Sequence, residues 1–136
     1  MSDSGGARGD EAERLRRLVL AAARELNAGR YFEAHEELEE RLDDVPDAWW
    51  PLFLGLIQVA VGYHKLASGN DGAARMLGLG LEKLASVADD ALGIDVGALR
   101  RRATLDRERL EGRDVDEALA ALASDPPRLL PVATAR

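Results

Sequence analysis

Apolar residues recur along this chain at helical spacing, and no stretch alternates convincingly as a strand would. Leu15, Leu18, Val19, Ala22 and Leu26 share one side of a helix over residues 10–28, which Gly29 ends. A second helix is predicted over 30–43. After the turn Asp44-Val45-Pro46-Asp47, a third spans 47–68, with Asp47 as its cap and Pro51 tolerated in its first turn. Gly69 closes it, and Asn70 or Asp71 caps a fourth helix reaching residue 88. Asp95 caps a fifth to residue 111, and a weaker helix follows over 115–123. Pro126, Pro127 and Pro131 impose an extended tail. The pattern predicts an all-α, single-domain bundle of about five main helices. Its expected parts are a mobile tail over 1–9, a helical domain over 10–123 and a C-terminal tail over 124–136. Short connections make chain neighbours antiparallel. The third helix should be the buried centre, with helices one, two and four around it. The 34-residue pattern of tetratricopeptide arrays is missing.

The third helix carries Phe53, Ile57, Ala60, Val61 and His64 on one side and Pro51, Gly55, Gln58, Gly62 and Lys65 on another. Gly55 and Gly62 lie within it, and Gly78 and Gly80 within the next. Each interior glycine costs ~1 kcal/mol relative to alanine. Close approach of another helix would offset that cost. The approaching helix comes either from the same chain or from a second copy, giving a homodimer through the Gly55/Gly62 face. Gln58 on this strip is either a satisfied core amide or part of a pocket.

The second helix holds the chemistry. At about 100° per residue, Tyr31, Ala34, Leu38 and Leu42 form one apolar stripe. His35 projects inside it, and Glu39 lies about 40° from His35, between Tyr31 and Phe32. Glu33, Glu36, Glu37 and Glu40 point the other way. The expectation is a His35–Glu39 pair on the buried face, with four exposed glutamates behind it. A buried acid needs a partner or a ligand.

The composition narrows the field. A chain of 136 residues is long enough to bury one core. Its net charge of −7 argues against nucleic-acid and anionic-membrane partners. The one basic run, Arg100-Arg101-Arg102, is flanked by Asp95, Asp106 and Glu108. There is no cysteine, which removes disulfides and thiolate metal sites and fits a reducing compartment. The opening residues lack a signal-peptide core, and the apolar run over 49–63 is short of the ~20 residues a membrane span needs. A cytoplasmic protein is expected.

Tyr31-Phe32-Glu33-Ala34-His35-Glu36-Glu37-Leu38-Glu39, Gly55-Leu56-Ile57-Gln58-Val59-Ala60, Tyr63-His64 and Gly69-Asn70-Asp71-Gly72-Ala73 together occur at a telling spacing. They resemble the bacterial and archaeal domain of unknown function 309 family, over roughly residues 15–90. The resemblance implies a small all-helical protein with a His-x-x-x-Glu-x-x-Trp signature to which metal binding has been ascribed. His35 and Glu39 match its first two positions, and Leu42 stands where tryptophan is expected. Trp49 and Trp50 are the nearby indoles that would take its space.

A histidine and a carboxylate one turn apart can share a divalent ion. With His64, the other imidazole of the chain, they would form a two-histidine, one-carboxylate set for zinc, iron(II) or manganese. The sequence His-Glu-x-x-Glu lacks the second histidine of the zincin motif, and Glu36 points toward solvent. Tyr31, Gln58 and Asn70 are further pocket candidates. Gly69-Asn70-Asp71-Gly72 reads as a capped turn rather than an anion site. The leading reading is a helical scaffold or interaction module with a buried His35–Glu39 pair. The alternative is a metal-dependent protein, hydrolytic in character, using His35, Glu39 and His64.

Overall fold

A computed structural model describes residues 3–133, with side chains from residue 9 onward. The described residues form six α-helices, and the fold class is all-α as the pattern predicts. Helix α1 (Asp3–Asn27) begins upstream of the residue 10 expected from the periodicity. The expected N-terminal tail therefore overlaps its first turns, and residues 1–2 of that tail lie outside the described residues. Gly29 adopts φ +81°, and Arg30 N–H donates to the Glu25 carbonyl at 2.8 Å, closing α1.

Helix α2 (Tyr31–Arg41) gives way to a 3-10 turn at Leu42–Asp44. A second such turn, Asp47–Trp49, leads into α3 (Trp50–Ala67). Pro51 sits in the first turn of α3, as read from the sequence, but Asp47 does not cap it. Asp47 is itself the first residue of the 3-10 turn, so the helix begins too far downstream for its side chain to reach. The α3–α4 connection also differs from expectation. Gly72, at φ +94°, stands immediately before α4 (Ala73–Leu84), and neither Asn70 nor Asp71 caps it. Asp95 does cap α5 (Val96–Glu111), accepting from Ala98 N–H at 2.9 Å. Asp114 does the same for α6 (Val115–Ser124).

Each helix packs chiefly on its neighbour in the chain, and α3 is the central one. Leu52, Phe53, Leu56, Val59, Ala60 and Tyr63 of α3 are all sealed from solvent. Helices α2 and α4 flank it directly, whereas α1 lies mainly against α2. The glycines explain the tight α3–α4 crossing. A Cβ on Gly80 would fall 2.8 Å from the Gly55 carbonyl and 2.7 Å from a Val59 methyl. A Cβ on Gly62 would fall 2.8 Å from Leu77. Helix α4 of the same chain thus fills the space over Gly55 and Gly62.

The C-terminal tail is extended, as its prolines require, and strapped to the bundle. Leu129 N–H donates to Asn27 Oδ1 at 2.7 Å, and Asn27 Nδ2 donates to the Leu129 carbonyl at 3.1 Å. The Leu129 side chain is buried among Ala22, Leu26, Leu38 and Leu56. A backbone bridge joins Ile94 to Pro131.

A candidate interaction site on helix α2

The buried arc of α2 is narrower than the sequence stripe implied. Tyr31, Ala34 and Leu38 are buried. Leu42, which appeared to extend that stripe, has left the helix for the 3-10 turn and is half-buried. Without it, the arc centres on Ala34 and Leu38. His35 falls at its margin and Glu39 beyond it. The His35 side chain is 16% exposed and that of Glu39 is 62% exposed. The expected pairing exists, with His35 Nε2 3.4 Å from Glu39 Oε2. It is not a buried pair. Glu39 keeps its water, so the cost of burying a carboxylate does not arise. Of the other glutamates, Glu33, Glu36 and Glu40 are exposed as predicted, and Glu37 is partly covered.

His35 Nδ1 lies 2.7 Å from the Phe32 carbonyl. A carbonyl can only accept, so Nδ1 carries a proton, and Nε2 is the ring nitrogen that faces Glu39. Phe32, one turn before His35, is 44% exposed. Its ring meets His35 edge-on at 4.9 Å between centroids and is tilted against His64 at 5.2 Å. The structure therefore places both imidazoles on one face with a phenyl ring in contact with each. It does not assemble the three-donor set. Among the described residues, no group of three or more His, Asp or Glu side chains is arranged to hold an ion. His35 and Glu39 supply two protein donors, one fewer than a catalytic zinc site commonly uses.

Phe32, His35, Glu36, Glu39 and Glu40 line an open depression of about 430 Å³. Across the Glu36–Glu40 ridge, Glu25, Glu33 and Glu37 complete a second, smaller one. Arg30 neutralises Glu25, and its guanidinium holds that carboxyl below the usual carboxylate range. Among the described residues, no ion pair engages Glu33, Glu36, Glu37 or Glu40.

The remaining candidates separate. Tyr31 is buried and stacks at 5.6 Å on Tyr63, facing the core and away from the depression. Gln58 is half-buried, and among the described residues its Oε1 has no hydrogen-bond partner. Asn70 is exposed and lines a separate hollow between the α3–α4 turn and Leu110 and Val115. Trp50 donates its indole N–H to the Val45 carbonyl at 2.8 Å and packs with Leu42 and Trp49 against the core.

Residues 19–77 match the family model described as Domain of unknown function (DUF309). These residues belong to the DUF309 family. The match runs from Val19 in α1 through α2 and α3 into α4, so Phe32, His35, Glu39 and His64 all fall inside it. Helices α5 and α6 and the tail lie outside it. No match was found among curated proteins. Among the described residues, no helix is long and apolar enough to cross a membrane.

The principal polar feature hidden from the sequence reading joins the DUF309 segment to α5. Asp106 is 1% exposed. It accepts from Tyr63 Oη at 2.6 Å, Arg102 Nε at 2.8 Å and Arg109 Nη1 at 2.7 Å. Burial, followed by the negative charge of Asp106 and the bond to it, raises the Tyr63 hydroxyl far above its ordinary range. Burial also raises Tyr31. In the sequence, Asp106 reads as a surface counter-charge to the arginine run. The usable signal is its angle: about 20–60° from Leu99, Ala103 and Leu110, with arginines four residues before and three after.

Proposed function

We propose that the chain is an interaction module whose docking face is the α2–α3 edge carrying Phe32, His35 and His64. The observation that carries this reading is Phe32 itself. Isolated exposed apolar residues are common and need no explanation. Phe32 differs in being held between two imidazoles, one of which is tied to its own carbonyl. Such a ring is ordered before any partner arrives, which reduces the entropy lost on docking. Beside it lies an open, polar-rimmed depression, the usual surround of a contact anchor. The test is site-specific cross-linking in cells, with a photoreactive phenylalanine analogue at Phe32 and, as control, at exposed Leu105 of α5. The reading expects a discrete protein adduct from Phe32 and none from Leu105. Equal, diffuse adducts from both sites would refute it.

A second reading, a divalent cation held by His35 and Glu39, is favoured by the orientation of the His35 ring. A hydrogen bond from Nδ1–H to a carbonyl is the arrangement that orients metal-ligating histidines. Zinc or manganese should then raise the melting temperature by mass action, and His35→Ala or Glu39→Ala should abolish the rise. His64→Ala should leave it intact, since His64 is not joined to the pair. A wild-type protein indifferent to both ions ends this reading.

A further inference from the structure

From the charge around Phe32, we infer that the partner presents a basic segment and that an arginine of it docks over the Phe32 ring. This rests on the interaction-module reading and adds the chemistry of the partner. The depression combines one half-exposed aromatic face with three carboxylates, Glu36, Glu39 and Glu40. Neither Glu36 nor Glu40 is engaged by an ion pair among the described residues, and Glu39 meets only His35. A neutral apolar partner would cover these carboxylates and leave them unpaired, which is costly. A second copy docking the same face would set acidic α2 against acidic α2, and like charges in an interface are strongly disfavoured. Nucleic acid is repelled by the same charge. A guanidinium satisfies both parts of the site. Its plane stacks on an aromatic face within about 6 Å of the ring centroid. Its forked N–H groups reach carboxylates in pairs. An ammonium lacks the planar fork, so arginine should be preferred to lysine. Long-range attraction from a chain of net charge −7 would steer such a segment in.

The experiment is an NMR titration of the isotopically labelled full chain with a short capped peptide of alternating arginine and glycine. Two matched peptides carry serine or glutamate in place of arginine. The arginine peptide should move the ring protons of His35 and His64 and the amides of residues 32–40. Phe32→Ala should weaken it about five-fold, the loss of one cation–π contact. Phe32→Leu keeps apolar bulk for the fold and should weaken it nearly as much. Glu36→Gln with Glu40→Gln should weaken it further and flatten its salt dependence. Shifts spread evenly over the acidic surface and unchanged by either Phe32 variant would overturn the inference, as would equal binding of the serine or glutamate peptide. The cross-linking test separates the two ideas. A discrete Phe32 adduct whose cross-linked segment is neutral or acidic removes the basic partner and leaves the docking face standing.

Discussion

Replacing Asp106 tests whether the buried network holds α5 to α3. Asp106→Ala removes one acceptor and strands three donors. The Tyr63 hydroxyl is wholly enclosed, while Arg102 and Arg109 keep a solvent-facing edge. Breaking a buried ion pair from one side costs ~3–5 kcal/mol. The exposed guanidinium edges favour the lower end, so ~3 kcal/mol is expected. Tyr63→Phe is a milder change, because the donor leaves together with its hydroxyl and Asp106 keeps both arginines. A hydrogen bond to a charged group is worth ~1.5–3 kcal/mol, and the lower figure applies here. Against a typical total of about 5–15 kcal/mol, Asp106→Ala removes a large share. Urea unfolding followed by circular dichroism is the assay. With a slope near 2 kcal/mol/M, the midpoint should fall by roughly 1.5 M for Asp106→Ala and by about half that for Tyr63→Phe. A cost under ~1 kcal/mol for Asp106→Ala, or equal costs for the two variants, would show that the network does not hold α5 to α3. A changed slope would mean that α5 and α6 had detached in the folded state.

Gly80→Ala should destabilise despite a ~1 kcal/mol gain in helix propensity, because its methyl meets the backbone of Gly55 and Val59. Gly55→Ala should cost less, since its closest obstacle is the Leu84 side chain, which can turn aside. Thermal melts of the two variants decide the order. Asn27→Ala should cost ~1–2 kcal/mol and raise hydrogen exchange at the Leu129 amide well above that at the helix-core amides. Unchanged protection there would mean that Leu129 burial alone holds the tail. Both tyrosines of the chain have raised pKa values. Above about pH 10 the unfolded chain gives up phenolic protons that the folded chain keeps. The unfolded state then binds fewer protons, so stability is intact below that pH and falls as pH rises. Phenolate absorbance should therefore appear together with unfolding, and a free-standing titration near pH 10 would contradict the burial of both rings.

Most of the fold is legible in the sequence because helical periodicity and local stops report it. The Asp95 cap, the Gly29 and Gly69 stops and Pro51 in a first turn all depend on neighbouring residues. The start of α4 is less legible because Gly72 takes a left-handed conformation and displaces the side-chain caps read at Asn70 and Asp71. The His35–Glu39 contact was readable from one turn of helix. Its burial was not, since that depends on which neighbours cover α2 and on Leu42 leaving the helix axis. His64 shows the same boundary. Antiparallel packing brings it to the face of His35, but the phenyl ring of Phe32 contacts both imidazoles, and no helical wheel shows that. Asp106 is the clearest case. Its partners lie on its own helix and on α3, and only tertiary packing converts a surface-looking acid into the most enclosed charge described.

The Asn27–Leu129 clasp has a consequence for how the protein forms and how long it lasts. Nearly all other packing joins consecutive helices, so the bundle can assemble by successive local hairpins, the fast route for a chain of this topology. The clasp instead closes a loop spanning most of the sequence, whose entropy is lost before any contact rewards it. It should therefore form after the rate-limiting step. An interaction absent from the transition state leaves the folding rate alone and slows unfolding. Speed of assembly thus belongs to the helices, and persistence of the assembled state to a few residues of irregular chain that bolt the tail to the end of α1.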